Sequence, residues 1–235
     1  AKPMFFLDYY ATGTLDAVAF TDVVSGLSKA CIENECVLIG GETAEMPGFY
    51  SQDEYDLCGT IIGIVEKRNM LSSKDVSSGD KIIALPSDGL HTNGYSLARK
   101  VLLEKYKIDS HIDALNCTIG EELLKIHKSY YPAVKEIIDK DWLKCISHIT
   151  GGGIEENTQR VISKAHTLNI NWDSWSWPEI YSIIQKTANV PLSDMRRTFN
   201  LGIGLVLIVD KNNVDKCIDY FNKKNQKHIA LGEVK

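Results

Sequence analysis

The sequence has no C-x-x-C pair, no surplus of basic charge and no Gly-Lys-Ser/Thr closing a glycine loop. It also has no apolar run near the ~20 residues that a bilayer span requires. Each absence excludes a class of protein. The six cysteines, Cys31, Cys36, Cys58, Cys117, Cys145 and Cys217, mostly sit inside apolar patterns, and the Cys31/Cys36 spacing does not suit a common zinc knuckle. They therefore read as reduced, partly buried thiols of a cytoplasmic chain. The opening residues lack the shape of a secretory leader, and no membrane partner is expected. With 26 Lys+Arg against 31 Asp+Glu, the net charge of -5 argues against a non-specific nucleic-acid binder. A small anionic ligand stays open, because it sees only the local field. The missing Gly-Lys-Ser/Thr excludes a P-loop.

What is present is an ordinary globular composition. Of 235 residues, 44% are hydrophobic and 24% charged, enough for one large domain or two small ones without disulfide or metal staples. Apolar periodicity predicts a helix over Ala17–Glu33, and β-branched runs predict strands over residues 4–7, 36–39 and 57–65, with a turn-rich link over 8–16. Residues 66–79 are polar and mark a boundary. Beyond it, strands at 81–85, 145–149, 167–171, 204–209 and 228–232 alternate with helices. The helices are expected at 94–104, twice within 121–140, from the glycine run to about 161, and at 178–187, 192–195 and Val214–Lys223. Alternation of this kind argues for α/β layers, in an α/β or mixed α+β chain with domains over 1–66 and 67–235.

Four runs carry chemistry. Gly40-Gly41-Glu42-Thr43-Ala44-Glu45 follows a strand, so its amides could meet a ligand and its carboxylates could hold Mg²⁺ beside a polyphosphate. From spacing alone, a solvated turn with two surface acids is the more common meaning of such a run. In Asp88-Gly89-Leu90-His91-Thr92-Asn93-Gly94, a helix is expected to open near Asn93, placing His91 and Asn93 at an anion-favouring terminus. There His91 would titrate near neutrality. Asn93 as a plain N-cap is the alternative. His148-Ile149-Thr150-Gly151-Gly152-Gly153, between strand and helix, suggests an anion nest of converging amides, against a flexible linker. Arg197 could clamp a phosphate, or simply end a basic helix ahead of Gly202 and Gly204. Trp172, Trp175 and Trp177 read as a packed aromatic corner.

Five stretches in order, FFLDYYATG (5–13), VLIGGETAEMPG (37–48), DGLHTNGYSL (88–97), HITGGGIEEN (148–157) and RTFNLGIG (197–204), resemble the aminoimidazole ribonucleotide synthetase (phosphoribosylformylglycinamidine cyclo-ligase) family. Members of that family carry a further N-terminal segment with a Gly-rich nucleotide loop, which these residues do not include, so residues 1–235 alone are expected to be weakly active or inactive. The resemblance implies that 1–66 is the later part of a dimerising, ATP-binding domain, and 67–235 a C-terminal α/β domain. Two subunits would pair through their N-terminal domains into a β-barrel. It implies ATP and Mg²⁺ as cofactors and formylglycinamidine ribonucleotide as substrate. By resemblance, ATP falls to Asp8, Gly40, Gly41, Glu42 and Thr43, and the metal to Glu42. His91 and Asn93 would face the reacting groups, and Thr150, Gly151, Gly152, Gly153, Arg197 and Asn200 the ribose phosphate. The alternatives are a sister ATP-dependent enzyme, such as thiamine-monophosphate kinase or selenophosphate synthetase, and an inactive phosphate-binding module.

Overall fold

The computed structural model describes residues 1–235, which divide into two compact units, Ala1–Met70 and Leu71–Lys235. In the first, β1 (Lys2–Thr12) is followed by α1 (Ala17–Glu33), β2 (Val37–Glu45) and β3 (Tyr55–Ile64). The α1 start is set by Asp16, whose carboxylate accepts from the Val18 and Ala19 amides at 2.8 and 2.9 Å. β1 lies centrally, parallel to β2 and antiparallel to β3.

Pairing on both sides extends β1 well beyond residues 4–7. The expected link at 8–12 is strand, and the run from Gly40 to Glu45 is strand rather than loop, because each residue has a β1 partner from Leu7 to Thr12. Tertiary pairing overrides glycine's weak strand propensity here. Helix α1 covers one face of the sheet, with Phe20 edge-on to Tyr10 at 5.3 Å. On the other face Phe5, Leu7, Val37, Ile62 and Ile64 stay 38–60% exposed.

The second unit contains β4 (Lys81–Pro86), α2 (Tyr95–Leu103), β5 (His111–Ile112), β6 (Cys117–Thr118), α3 (Ile119–Leu123), α4 (Tyr131–Val134), β7 (Leu143–His148) and α5 (Gly153–Gln159). β8 (Leu168–Ile170), α6 (Glu179–Ala188), α7 (Leu192–Thr198), β9 (Ile203–Val209), α8 (Val214–Lys223) and β10 (Ile229–Val234) complete it. Its main sheet has the order β7-β9-β4-β10-β8, and every pair is antiparallel. The alternation of strand and helix thus takes the mixed α+β form, with helices packed on an antiparallel sheet. The small β5–β6 ribbon had no sequence signal.

Side-chain alternation sorts the sheet into two buried faces. Ile82, Ala84, Val206 and Ile208 pack with Ile149, Ile154 and Ile162 on one side. Ile83, Leu85, Leu205 and Leu207 pack with Val134, Ile137, Cys217 and Phe221 of the α4–α8 side. A third cluster joins α2, α3, α6 and α7 through Leu102, Ile119, Tyr181 and Phe199. The tryptophans form the packed corner: Trp172 lies 5.5 Å from Trp175, and Arg196 stacks on Trp172 at 3.8 Å.

Candidate functional site

In the first unit, register decides what the acidic groups can do. β2 carries one extra residue between the pairs Phe6↔Leu38 and Leu7↔Gly40. That bulge pairs Asp8 with Gly41 and Tyr9 with Glu42, so the Asp8 and Glu42 side chains leave opposite faces of the sheet. A Cβ on Gly41 would collide with the Asp8 carboxylate, which explains the glycine there. Glu42 is exposed, and its carboxylate accepts only from the adjacent Thr43 amide, at 3.1 Å. Glu45 instead accepts from the Leu15 amide at 2.7 Å and secures the turn before α1. Asp8 and Glu42 thus do not form a joint carboxylate site. Glu42 alone offers one oxygen ligand, which suits only an Mg²⁺ that arrives already on a polyphosphate.

In the second unit, the sequence runs converge. The strands β7, β9 and β4 are neighbours, so the ends of β4 and β7 and the start of β9 share one end of the sheet. The loops leaving that end carry Ser87–Asn93, Thr150–Gly153 and Asn200–Gly202. Backbone bonds tie them to it: Ser87 N–H donates to Gly202 C=O, and Ile149 N–H to Gly204 C=O, each at 2.9 Å.

The Thr150–Gly153 turn is organised from within. Gly152 N–H donates to Arg197 C=O at 3.0 Å and Gly153 N–H to Thr150 C=O at 3.1 Å, so two of the three amides already have partners. This corrects the anion-nest expectation. The glycines are required by packing: Gly152 and Gly153 have φ of 99° and 70°, and a Cβ on Gly153 would collide with the Arg196 carbonyl. The buried Asn157, which sequence reasoning passed over, donates to the carbonyls of Thr150, Gly151 and Gly153 and accepts from the Thr150 hydroxyl.

Helix α2 begins at Tyr95 with Gly94 at its N-cap, not Asn93. Asn93 instead lies against the glycine turn, where a Cβ on Gly151 would stand 3.4 Å from its Oδ1. Asn200 is 3% exposed, and its Oδ1 accepts from Ser87 Oγ (2.9 Å), Tyr181 OH (2.6 Å) and Gly202 N–H (2.8 Å), while Nδ2 donates to Gly89 C=O (3.1 Å). It holds the β4 and β9 loops together from inside. Arg197 is exposed, as a phosphate clamp would need to be.

His91 departs most from the sequence reading. It is 3% exposed, in a left-handed conformation (φ 58°), and lies against His127 with ring centroids 3.9 Å apart. Its Nε2 accepts from the Asp88 amide at 3.2 Å, and its Nδ1 is buried without a partner. His127 Nε2 stands 3.1 Å from His148 Nε2, and Tyr130 flanks both His91 and His148. Burial, reinforced by His127, His148 and Lys128, pushes the His91 pKa down to about 3. Burial also lowers His127, with His148 adding to it, and burial lowers His148. All three rings are therefore neutral at pH 7, and His91 does not titrate near neutrality. Gly204 makes room for the group, since a Cβ there would collide with the Tyr130 hydroxyl and press on the His91 ring. His127 gave no signal in the sequence: it lies in a polar stretch, and only the α3–α4 connection brings it beside His91.

The fold and this sheet-end constellation define a protein of the AIR synthase type. Residues 1–65 match the family model "AIR synthase related protein, N-terminal domain", and residues 77–235 its C-terminal domain. The fold is shared with solved structures at low identity. The E. coli hydrogenase maturation protein HypE superposes with a TM-score of 0.70 at 13% identity, over 100% of this chain and 68% of that one. Thiamine-monophosphate kinase from Stenotrophomonas maltophilia K279a gives 0.71 at 13%, over 100% and 70%.

Sequence relatives are nearer. The phosphoribosylformylglycinamidine cyclo-ligase of Thermoanaerobacter sp. (strain X514) is 43% identical over 100% of this chain and 70% of its own length. That of Alkaliphilus metalliredigens (strain QYMF) is 39% identical over 100% and 68%. The chain belongs to the phosphoribosylformylglycinamidine cyclo-ligase family, the ring-closing ligases of purine biosynthesis.

Proposed function

We propose that the protein closes the imidazole ring of aminoimidazole ribonucleotide from formylglycinamidine ribonucleotide, with ATP as the phosphoryl donor. In the first step the formyl-derived amide oxygen takes the γ-phosphoryl group, giving an iminophosphate and ADP. In the second, the amidine nitrogen attacks that carbon, the C–O bond to phosphate breaks, and the nitrogen loses its proton as the ring closes. The first step depends on positioning and charge neutralisation, the second on holding nucleophile and carbon in reach. The observation that carries this reading is identity of about two residues in five along the whole chain to named cyclo-ligases. ATP use has independent support in a structural neighbour, HypE, solved in complex with ATP (TM-score 0.70, 15% identity, 100% of this chain and 65% of that one).

In this reading Asn93, Arg197 and the Thr150–Gly153 turn meet the ribonucleotide, and Glu42 adds one ligand to a nucleotide-borne Mg²⁺. Gly40, Gly41 and Thr43 present backbone to the nucleotide, and Asp8 supports them from the opposite face. His91 acts as a positioning residue. Neutral and almost fully buried, it holds His127 and the more accessible His148 rather than reaching substrate itself. Asn200 acts in the same way, by fixing the two loops. The uncovered apolar face of the first unit receives a second copy of the chain.

The test is product formation. Purified protein that includes the N-terminal segment of its relatives, incubated with MgATP and formylglycinamidine ribonucleotide, should release ADP and phosphate in step with aminoimidazole ribonucleotide, and residues 1–235 alone should turn over weakly or not at all. Thiamine monophosphate should give no turnover. Turnover of thiamine monophosphate, or ATP hydrolysis without ring closure, would overturn the reading.

A further inference from the structure

We propose that His91, His127 and His148 bind one divalent transition-metal ion of the Zn²⁺ type, at a site distinct from any Mg²⁺ carried by a nucleotide. The triad is the one group of three or more His, Cys, Asp or Glu side chains in the chain whose ligand atoms converge, with one atom from each residue within 4.8 Å of the others. Tetrahedral Zn²⁺ with Zn–N bonds of about 2.0–2.1 Å spaces its ligand nitrogens roughly 3.3–3.4 Å apart. His127 Nε2 and His148 Nε2 are already 3.1 Å apart, so His91 is the ring that has to close in.

The surroundings favour that closure. Two neutral imidazoles that face each other through Nε2 need opposite tautomers, a constraint that a shared metal ion removes. His91 is weakly held as a free imidazole: the 3.2 Å bond from the Asp88 amide is set against a buried Nδ1 with no partner. Exchanging one long neutral hydrogen bond for a coordinate bond favours the loaded state. His91 and His127 stack face to face at 3.9 Å, so one of the two rings turns out of the stack to bring both lone pairs onto one ion, while Tyr130 is fixed alongside by donating to Pro86 C=O at 2.9 Å. Asp88, the nearby carboxylate, is paired with Lys128 at 3.8 Å.

The donor set decides the ion. Three neutral imidazoles and no carboxylate suit Zn²⁺, Co²⁺, Ni²⁺ or Cu²⁺ and reject Mg²⁺, which demands oxygen. Three protein ligands leave the fourth position to water or an anionic oxygen.

The proposal rests on side-chain geometry and not on the ring-closing reading, so either can fail alone. To test it, the full chain is stripped with chelator and titrated with Co²⁺, followed by visible absorption, and with Zn²⁺, followed by calorimetry. One equivalent of Co²⁺ should bind with the intense bands of tetrahedral coordination, Zn²⁺ should displace it, and excess Mg²⁺ should not. His127→Gln and His148→Gln, both at partly or fully exposed positions, should each weaken binding at least about tenfold with folding unchanged by circular dichroism. His111→Gln, at an exposed histidine elsewhere, should leave it intact. No saturable binding, or binding that survives loss of both His127 and His148, would overturn the proposal. Equal loss in the His111 variant would also do so.

Discussion

His91 concentrates three unusual properties in one residue: a left-handed backbone, near-complete burial and an unpaired ring nitrogen. Its stability consequence has a definite sign. The folded-state pKa, about 3, lies below the unfolded value near 6.5, so the unfolded chain binds more protons within that window. Stability is therefore retained above pH 6.5 and lost as the pH falls from 6.5 toward 3. One such group contributes about 1.4 kcal/mol per pH unit, roughly 2 kcal/mol at pH 5. Thermal melts in chelator-containing buffer should show this decline, and His91→Asn should flatten it. An unchanged slope would show that His91 is not the titrating group. Asn200 makes a second residue-scale prediction. Asn200→Ala leaves the Gly202 N–H without its acceptor, while the Ser87 and Tyr181 hydroxyls keep the Gly89 carbonyl as theirs, so the change should cost about 1–3 kcal/mol by urea unfolding. Gly153→Ala forces a Cβ into the Arg196 carbonyl at a positive φ and should destabilise by about 2 kcal/mol or more. Of these residues, His91 and Asn200 stood out in the sequence for their motifs. Their burial did not, because it depends on the loops that close over them.

At the scale of elements, β9 anchors the second unit. All seven of its residues are buried, and it lies between β7 and β4. An unbroken apolar run is the usual mark of a parallel strand covered on both faces. Here the covering is the same but the pairing is antiparallel, with the α4–α8 side on one face and the α5 side on the other. Composition reports burial on both faces and says nothing of strand direction. Leu207→Ala should cost about 2–5 kcal/mol in chemical denaturation, since neither face can collapse onto the cavity. Helices α1 and α8 were legible to the residue, because their apolar spacing is regular and Asp16 caps the first. The β2 strand was not legible past its glycines. Its bulge, which places Glu42 on the opposite face from Asp8, is a property of pairing and leaves no mark on composition.

At the scale of the whole molecule, the first unit presents an apolar sheet face, Phe5, Leu7, Val37, Ile62 and Ile64, that a lone copy leaves in water. Faces of this kind mark association surfaces. Light scattering coupled to size exclusion should give the mass of a dimer, and Leu7→Lys with Ile62→Lys should shift it to monomer without changing the melting of the second unit. A monomeric parent chain would argue against pairing through this face. No helix is long and apolar enough to cross a membrane, in agreement with the absence of long apolar runs.

By itself the sequence determined the family, the helix and strand positions with regular periodicity, and the motif runs of the second unit, because all of these are local patterns of residue type. Only the tertiary structure decided which residues share a face, which amides in the glycine turn remain free, and that His127 joins His91 and His148. Those outcomes depend on strand register, sheet order and loop closure, which bring together residues far apart in the chain.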